Sequence, residues 1–313
     1  MAFTKYLSEE MINALNEEYR REAGWWRVLA DHPDTLIAIR NKYLNVYRNG
    51  CNIAKVAQRT DGELTISVHY KFLLKKKIPH PFVSCTNGSP EIADPNELLI
   101  SSLSDIGDII YWTDTLGGLE KTGVHRVIRA NANVIDTEIA LSGAAKDESD
   151  VPATLDEGKS SRIDFCAVRK EGSQLWLRFF EAKDYSYKAA LAAAAEHLPK
   201  AVEQLLRYWK TLKGQKTQTQ IGDAYKRLIE LAHRIHGRNV LGKNIPLSGL
   251  EKLQVDPVPR LVVFGYDDDQ KKRKGGKFQT HMEKLRSALK RETGVDCLLL
   301  TGSAKHFTAG ISK

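Results

Sequence analysis

Two runs, Arg162-Ile163-Asp164-Phe165-Cys166-Ala167-Val168-Arg169 and Leu175-Trp176-Leu177-Arg178-Phe179-Phe180-Glu181-Ala182-Lys183, are joined across Glu171-Gly172-Ser173. Both are rich in branched and aromatic side chains, and the glycine marks a turn, so they read as two adjacent strands. Side chains alternate along a strand. Glu181 and Lys183 therefore share one face, and Ala182 takes the other. The second run is apolar from Leu175 to Phe180 except at Arg178, and a central strand has little structural use for two charges placed directly after it.

Working outward, residues 119–132 read as a helix and residues 133–141 as a strand. Residues 142–161, rich in Gly, Ser, Asp, Glu and Lys, read as a mobile loop between that strand and the next. Downstream, helix is expected over residues 187–212, with Pro199 opening a second segment because proline suits a first helical turn. Residues 221–235 carry apolar side chains on one helical face, residues 261–264 and 295–300 read as buried strands, and residues 280–292 as a helix. The order predicts an α/β fold, a mixed central sheet flanked by helices.

Upstream the pattern is different. A helix is expected over residues 4–23, with Ser8 as its cap, and a short one over residues 25–30. Strands follow over residues 36–39, 43–47, 52–56 and 64–72, turned by Asn41-Lys42, Asn49-Gly50 and Asp61-Gly62. Pro79, Pro81, Pro90 and Pro95 then punctuate a loop-rich stretch, and residues 106–116 add a further element. A boundary near Gly117-Gly118 divides an N-terminal α+β module, residues 1–118, from residues 119–313.

Composition narrows the class. No apolar stretch approaches the ~18 residues of a membrane span, and the start of the chain lacks the apolar core of a secretory signal, so a cytoplasmic protein without membrane contact is expected. Cys51, Cys85, Cys166 and Cys297 are widely spaced, which excludes a zinc ribbon or CxxC redox site and fits reduced core thiols. The net charge of +8 favours an acidic partner such as nucleic acid. Lys75-Lys76-Lys77 and Lys271-Lys272-Arg273-Lys274, the latter continuing to Lys277, concentrate it. Gly302-Ser303-Ala304-Lys305 does not complete a phosphate-binding loop, and His233 and His236 have no acidic partner at metal-ligand spacing.

Two carboxylates on neighbouring strands can hold a hard divalent cation, with a backbone carbonyl such as that of Ala182 as a further ligand. Such an ion polarises a phosphoryl oxygen and acidifies a bound water, while a lysine beside it orients that water and stabilises developing charge. Asp164, Glu181 and Lys183 have the types and the order that this chemistry needs.

Asp164, then Glu181-Ala182-Lys183 seventeen residues on, resembles the PD-(D/E)XK restriction-endonuclease-like superfamily, with Ile163 in place of the label's proline. The likeness covers residues 119–312. It implies a core of helix, three strands, helix and strand, and hydrolysis of a phosphodiester bond, most naturally in DNA, with Mg2+ or substituting Mn2+. It also implies a third acidic ligand, carried here by Glu138, with Asp136 as the alternative; the family often places that acid on the first helix. Gln204 and Tyr208, four residues apart on a helix after the lysine, resemble the QxxxY pair of the RecB-like branch, which flanks the metal site. His197 is expected nearby, against phosphate.

Lys271, Lys272, Arg273, Lys274 and Lys277 are expected to engage the nucleic-acid backbone. By analogy the context is antiviral defence, with the N-terminal module contacting substrate, a partner protein or a second copy. The readings that remain open are an RNase using the same site and a catalytically silent protein that binds nucleic acid or acts as a scaffold.

Overall fold

A computed structural model of the chain describes residues 3–22, 24–76, 78, 80, 82–86, 88–92, 94–98, 107, 109–110, 118–141, 162–186, 199–272 and 276–302. The loop expected over 142–161, the helix over 187–198 with His197, most of the element over 106–116, and Arg273 and Lys274 lie outside the described residues.

The first half builds a helical pair and a meander. α1 (Glu9–Arg20) is capped by Ser8, whose hydroxyl accepts the Met11 N–H at 3.1 Å, and α2 (Trp25–Asp31) packs on it. Trp25 and Trp26 meet edge to face, with Trp26 fully buried, so this aromatic pair belongs to the core. β1 (Thr35–Ile39), β2 (Tyr43–Arg48), β3 (Cys51–Gln58), β4 (Leu64–His69), β5 (Phe82–Thr86) and β6 (Ser89–Pro90) form an antiparallel sheet in chain order. Asn49 and Gly50 both take positive φ, 49° and 71°, the conformation a two-residue hairpin needs. β4 stops at His69, short of the expected strand end. The His69 ring accepts the Lys71 N–H and the chain turns through Tyr70–Phe72.

The second half builds a mixed sheet. α3 (Leu119–Arg129) leads into β7 (Val134–Ala140), β8 (Arg162–Glu171) and β9 (Gln174–Asp184), an antiparallel meander with Gly172 at φ 60° in the last turn. α4 (Lys200–Leu212) starts directly after Pro199, as expected, and α5 (Gln215–Arg234) follows. β10 (Leu253–Val255) and β11 (Arg260–Phe264) both lie parallel to β9, along its first and second halves. The short α6 (Asp268–Lys272) and α7 (Lys277–Thr293) lead to β12 (Leu298–Leu300), parallel to β11. The order β12-β11-β9-β8-β7 puts the apolar β9 at the centre. The chain is thus mixed α/β with two sheets, and no helix among the described residues is long and apolar enough to cross a membrane.

The two halves share their interior. One apolar cluster runs from Leu7, Met11 and Trp26 through Val46 and Val56 to Ile135, Phe179 and Tyr225. A second joins Leu36, Ala38 and Tyr47 of the meander to Val127 of α3 and to Phe165, Phe180 and Phe264 of the mixed sheet. α4 and α7 cover β11 and β12 through a third. All four cysteines are free and buried. The surfaces joined this way also enclose Asp136 of β7, whose carboxylate is fully buried between Arg40, directly after β1, and Lys5 (2.6 Å) and accepts the Tyr225 hydroxyl at 2.9 Å.

Candidate active site

The site forms at the end of the mixed sheet where β8 begins and β9 ends. The β8–β9 register pairs Phe165 with Phe180, whose rings stack at 4.8 Å, so one step further along Asp164 faces Glu181 across the strand pair. Side chains directly opposite share a face. The Asp164 carboxylate accepts the Ala182 N–H at 2.7 Å, and its backbone carbonyl accepts the Thr137 hydroxyl at 2.8 Å. Both its neighbouring strands thus hold it in place.

Glu181 is 1% exposed. The Lys183 ammonium lies 2.7 Å from one of its oxygens, two residues along the same strand face. Tyr208 approaches the other at 3.3 Å; its hydroxyl donates to the Arg162 carbonyl at 2.6 Å and accepts from the Gln204 amide at 2.6 Å. The expected Gln204–Tyr208 pair is therefore brought to the carboxylate site, and it fixes the first residue of β8.

Lys183 reaches a third carboxylate, Glu120 in the first turn of α3, at 3.2 Å. Sequence reasoning missed this residue. The signal was an acid in the first turn of the helix preceding the three strands. Gly123 allows the close approach: a Cβ there would lie 2.2 Å from the Phe264 ring, so only glycine lets α3 sit this tightly on β11.

Glu138, the expected third acid, lies beside Asp164 in the same cleft and pairs loosely with Arg162 at 3.9 Å. Its φ is +52°, a left-handed conformation that costs a non-glycine residue of order 1–3 kcal/mol and is concentrated at functional sites. Asp136 is held by Lys5, Arg40 and Tyr225, away from the cleft lining.

The electrostatics are those of crowded acids. Burial pushes the Asp164 carboxyl well above the usual carboxylate range, and the facing Glu181 adds to this; Lys183 and the Ala182 N–H offset only part. Burial raises Glu181 as well, against the pull of Lys183. Burial disfavours the Lys183 ammonium, but Glu181 and Asp164 outweigh it and hold its pKa above the ordinary lysine value. Burial pushes His125, on the cleft wall, down to about 4. Its ring is neutral at physiological pH, with Nε2 donating to the Asp34 carbonyl at 2.9 Å.

The expected site residues divide three ways. Asp164, Glu181, Lys183, Gln204 and Tyr208 converge at the sheet end, and Glu138 and Ala182 adjoin them. Lys271 and Lys272 close α6, where Lys272 is exposed, and Lys277 opens α7. No three His, Cys, Asp or Glu side chains among the described residues stand as a ready-made metal cage.

Comparison of the chain with protein-family models, with curated proteins and with solved structures finds no match.

Proposed function

We propose that this site hydrolyses phosphodiester bonds in nucleic acid, DNA first, and that the mixed sheet is a restriction-endonuclease-like core. One observation carries the reading: the buried Glu181 and the half-buried Asp164 face each other across β8 and β9 with both pKa values raised, and a lysine sits 2.7 Å from Glu181. Carboxylates crowded and raised in this way are enriched at functional sites, because crowding them costs the fold stability.

The donor set suits a hard divalent cation. Asp164 and Glu181, with Glu138 and the Ala182 carbonyl, would hold Mg2+ or Mn2+, and Glu120 supplies the acid that the resemblance assigns to the first helix. Mg2+ keeps several waters and is bound through one or two carboxylates, so Asp164 and Glu181 would supply the protein ligands it needs. Bound there, the ion contributes Lewis-acid charge and a more acidic water.

The chain's own groups do the rest. Ala182 N–H and the Thr137 hydroxyl fix Asp164 at its carboxylate and its carbonyl. Tyr208, steadied by Gln204, holds the Arg162 carbonyl and stands against Glu181. Lys183 stays protonated across the physiological range and presents fixed positive charge to a phosphoryl group. The basic run from Lys271 to Lys277 would supply backbone contacts distant in sequence from the carboxylates.

A second reading is a structural cluster without catalysis, favoured by the direct Lys183–Glu181 ion pair. Calorimetric titration with Mn2+ separates the two. The hydrolytic reading predicts saturable binding that is lost in both Asp164→Ala and Glu181→Ala; heat unchanged by either substitution would refute it.

A further inference from the structure

The cleft beside Asp164 and Glu138 is closed on its far side by the N-terminal meander. Leu36 of β1, Tyr47 of β2 and Gly50 in the β2–β3 turn face Val124 and Ile128 of α3 across about 200 Å³. We propose that this cleft admits one unpaired nucleotide, so that the centre acts on single-stranded nucleic acid or on a strand end freed from its complement, with the N-terminal half as the wall that excludes duplex. The inference rests on the hydrolytic reading above and deepens it by naming the strand state of the substrate.

Three observations support it. The acidic centre is recessed: Asp164, Glu138 and Glu120 line the cleft itself, and beside Asp164 stand Glu181, 1% exposed, and Lys183, whose side chain is 13% exposed. A duplex holds its bases stacked and paired, and an enzyme that works in a recessed pocket takes a single strand or extrudes a nucleotide at a cost.

The wall is also fixed in place. A Cβ on Gly50 would come within 2.5 Å of the Lys121 carbonyl, so the hairpin turn is pressed against the first turns of α3. Arg40, directly after β1, is clamped to Asp136 of β7, two residues before Glu138.

Finally, the lining is mixed. Half-buried Val124 and the nearly buried Leu36, Tyr47 and Ile128 give the cleft an apolar wall, with the Tyr47 hydroxyl engaged by Arg40 and Asn45. Asp164, Glu138 and Glu120 line the same cleft, together with Lys121, His125 and Thr137, and carboxylates there suit a cation-bridged phosphate.

The test uses the full chain with Mn2+ on a labelled single-stranded oligonucleotide, the same sequence as a blunt hairpin, and covalently closed duplex. Single strand should be cut at least ~100-fold faster than closed duplex, the scale of an unstacking penalty. Val124→Trp adds bulk to the cleft wall and leaves Asp164, Glu181 and Lys183 themselves unchanged. It should slow single-strand cutting at least ~10-fold and leave Mn2+ binding intact, with Val124→Phe as the milder filling variant if tryptophan prevents folding. Duplex cut as fast as single strand would overturn the inference and leave the hydrolytic reading standing, as would a folded filling variant that cuts single strand at the wild-type rate. If nothing is cut, the hydrolytic reading itself fails; the strand-state inference is then decided by fluorescence anisotropy in Ca2+, where equal binding of oligonucleotide and hairpin overturns it.

Discussion

At neutral pH the Lys183 ammonium holds Glu181 at 2.7 Å, while Asp164, desolvated and facing Glu181, grips its proton more tightly than a free aspartate does. A carboxyl whose pKa is raised by folding contributes stability below its unfolded value and loses it as pH rises through the folded one. The metal-free protein should therefore lose stability on ionising Asp164. Asp164→Asn keeps an acceptor for the Ala182 N–H and removes that loss. In chelator, Asp164→Asn should melt higher than wild type at pH 8, by ~2–4 °C for each 1 kcal/mol relieved, and the gap should close toward pH 4. Mn2+ should raise the melting temperature of wild type and not of the variant. A variant that melts lower at pH 8 would make Asp164 a structural group. These three residues were legible because strand alternation and an apolar run make misplaced charges conspicuous. Glu120 was not, since a single acid in a helical first turn is also what the helix dipole favours.

Among the elements, α3 matters most, because its position decides whether Glu120 meets Lys183. Gly123 sets that position through its contact with Phe264. On helix propensity alone Gly123→Ala should stabilise by about 1 kcal/mol. Packing predicts the opposite, an overpacking cost of about 1–3 kcal/mol, with Phe264→Leu in the same chain recovering most of it. Urea denaturation of the single and double variants decides, and a stabilised single variant contradicts the packing account. The elements that sequence reading missed are those with weak local signals. α5 begins at Gln215 instead of 221 because Gln215-Lys216-Thr217-Gln218-Thr219-Gln220 has no apolar residue to show a period. β10 has three residues, and β5 stands among prolines that read as loop. The hairpins were clear, since Asn49-Gly50 and Asp61-Gly62 encode their turns locally.

For the whole molecule, the boundary expected near Gly117-Gly118 is crossed by a shared core and by one buried charge cluster. Such contacts between residues 96 or 131 positions apart leave no local trace in a sequence, so they could not be read there. Burial alone would raise the Asp136 carboxyl, but Arg40 and Lys5 outweigh it and hold its pKa below the usual value. The sign is thus opposite to that of Asp164: the stabilisation is present above the unfolded pKa of an aspartate and is lost as pH falls through the folded value. Asp136→Asn strands two buried cations and should cost about 3–5 kcal/mol at pH 7, with the difference from wild type shrinking in acid. An unchanged unfolding midpoint would show that the two halves do not depend on this cluster. The hydrolytic site is tested most directly by cleavage of single-stranded DNA, linear duplex, plasmid and RNA with Mg2+ or Mn2+ by wild type and by Lys183→Ala confirmed to be folded. Wild type should cut in a metal-dependent way, and the variant at least ~100-fold more slowly; equal cutting by both, or none by wild type with either ion, would contradict a hydrolytic role.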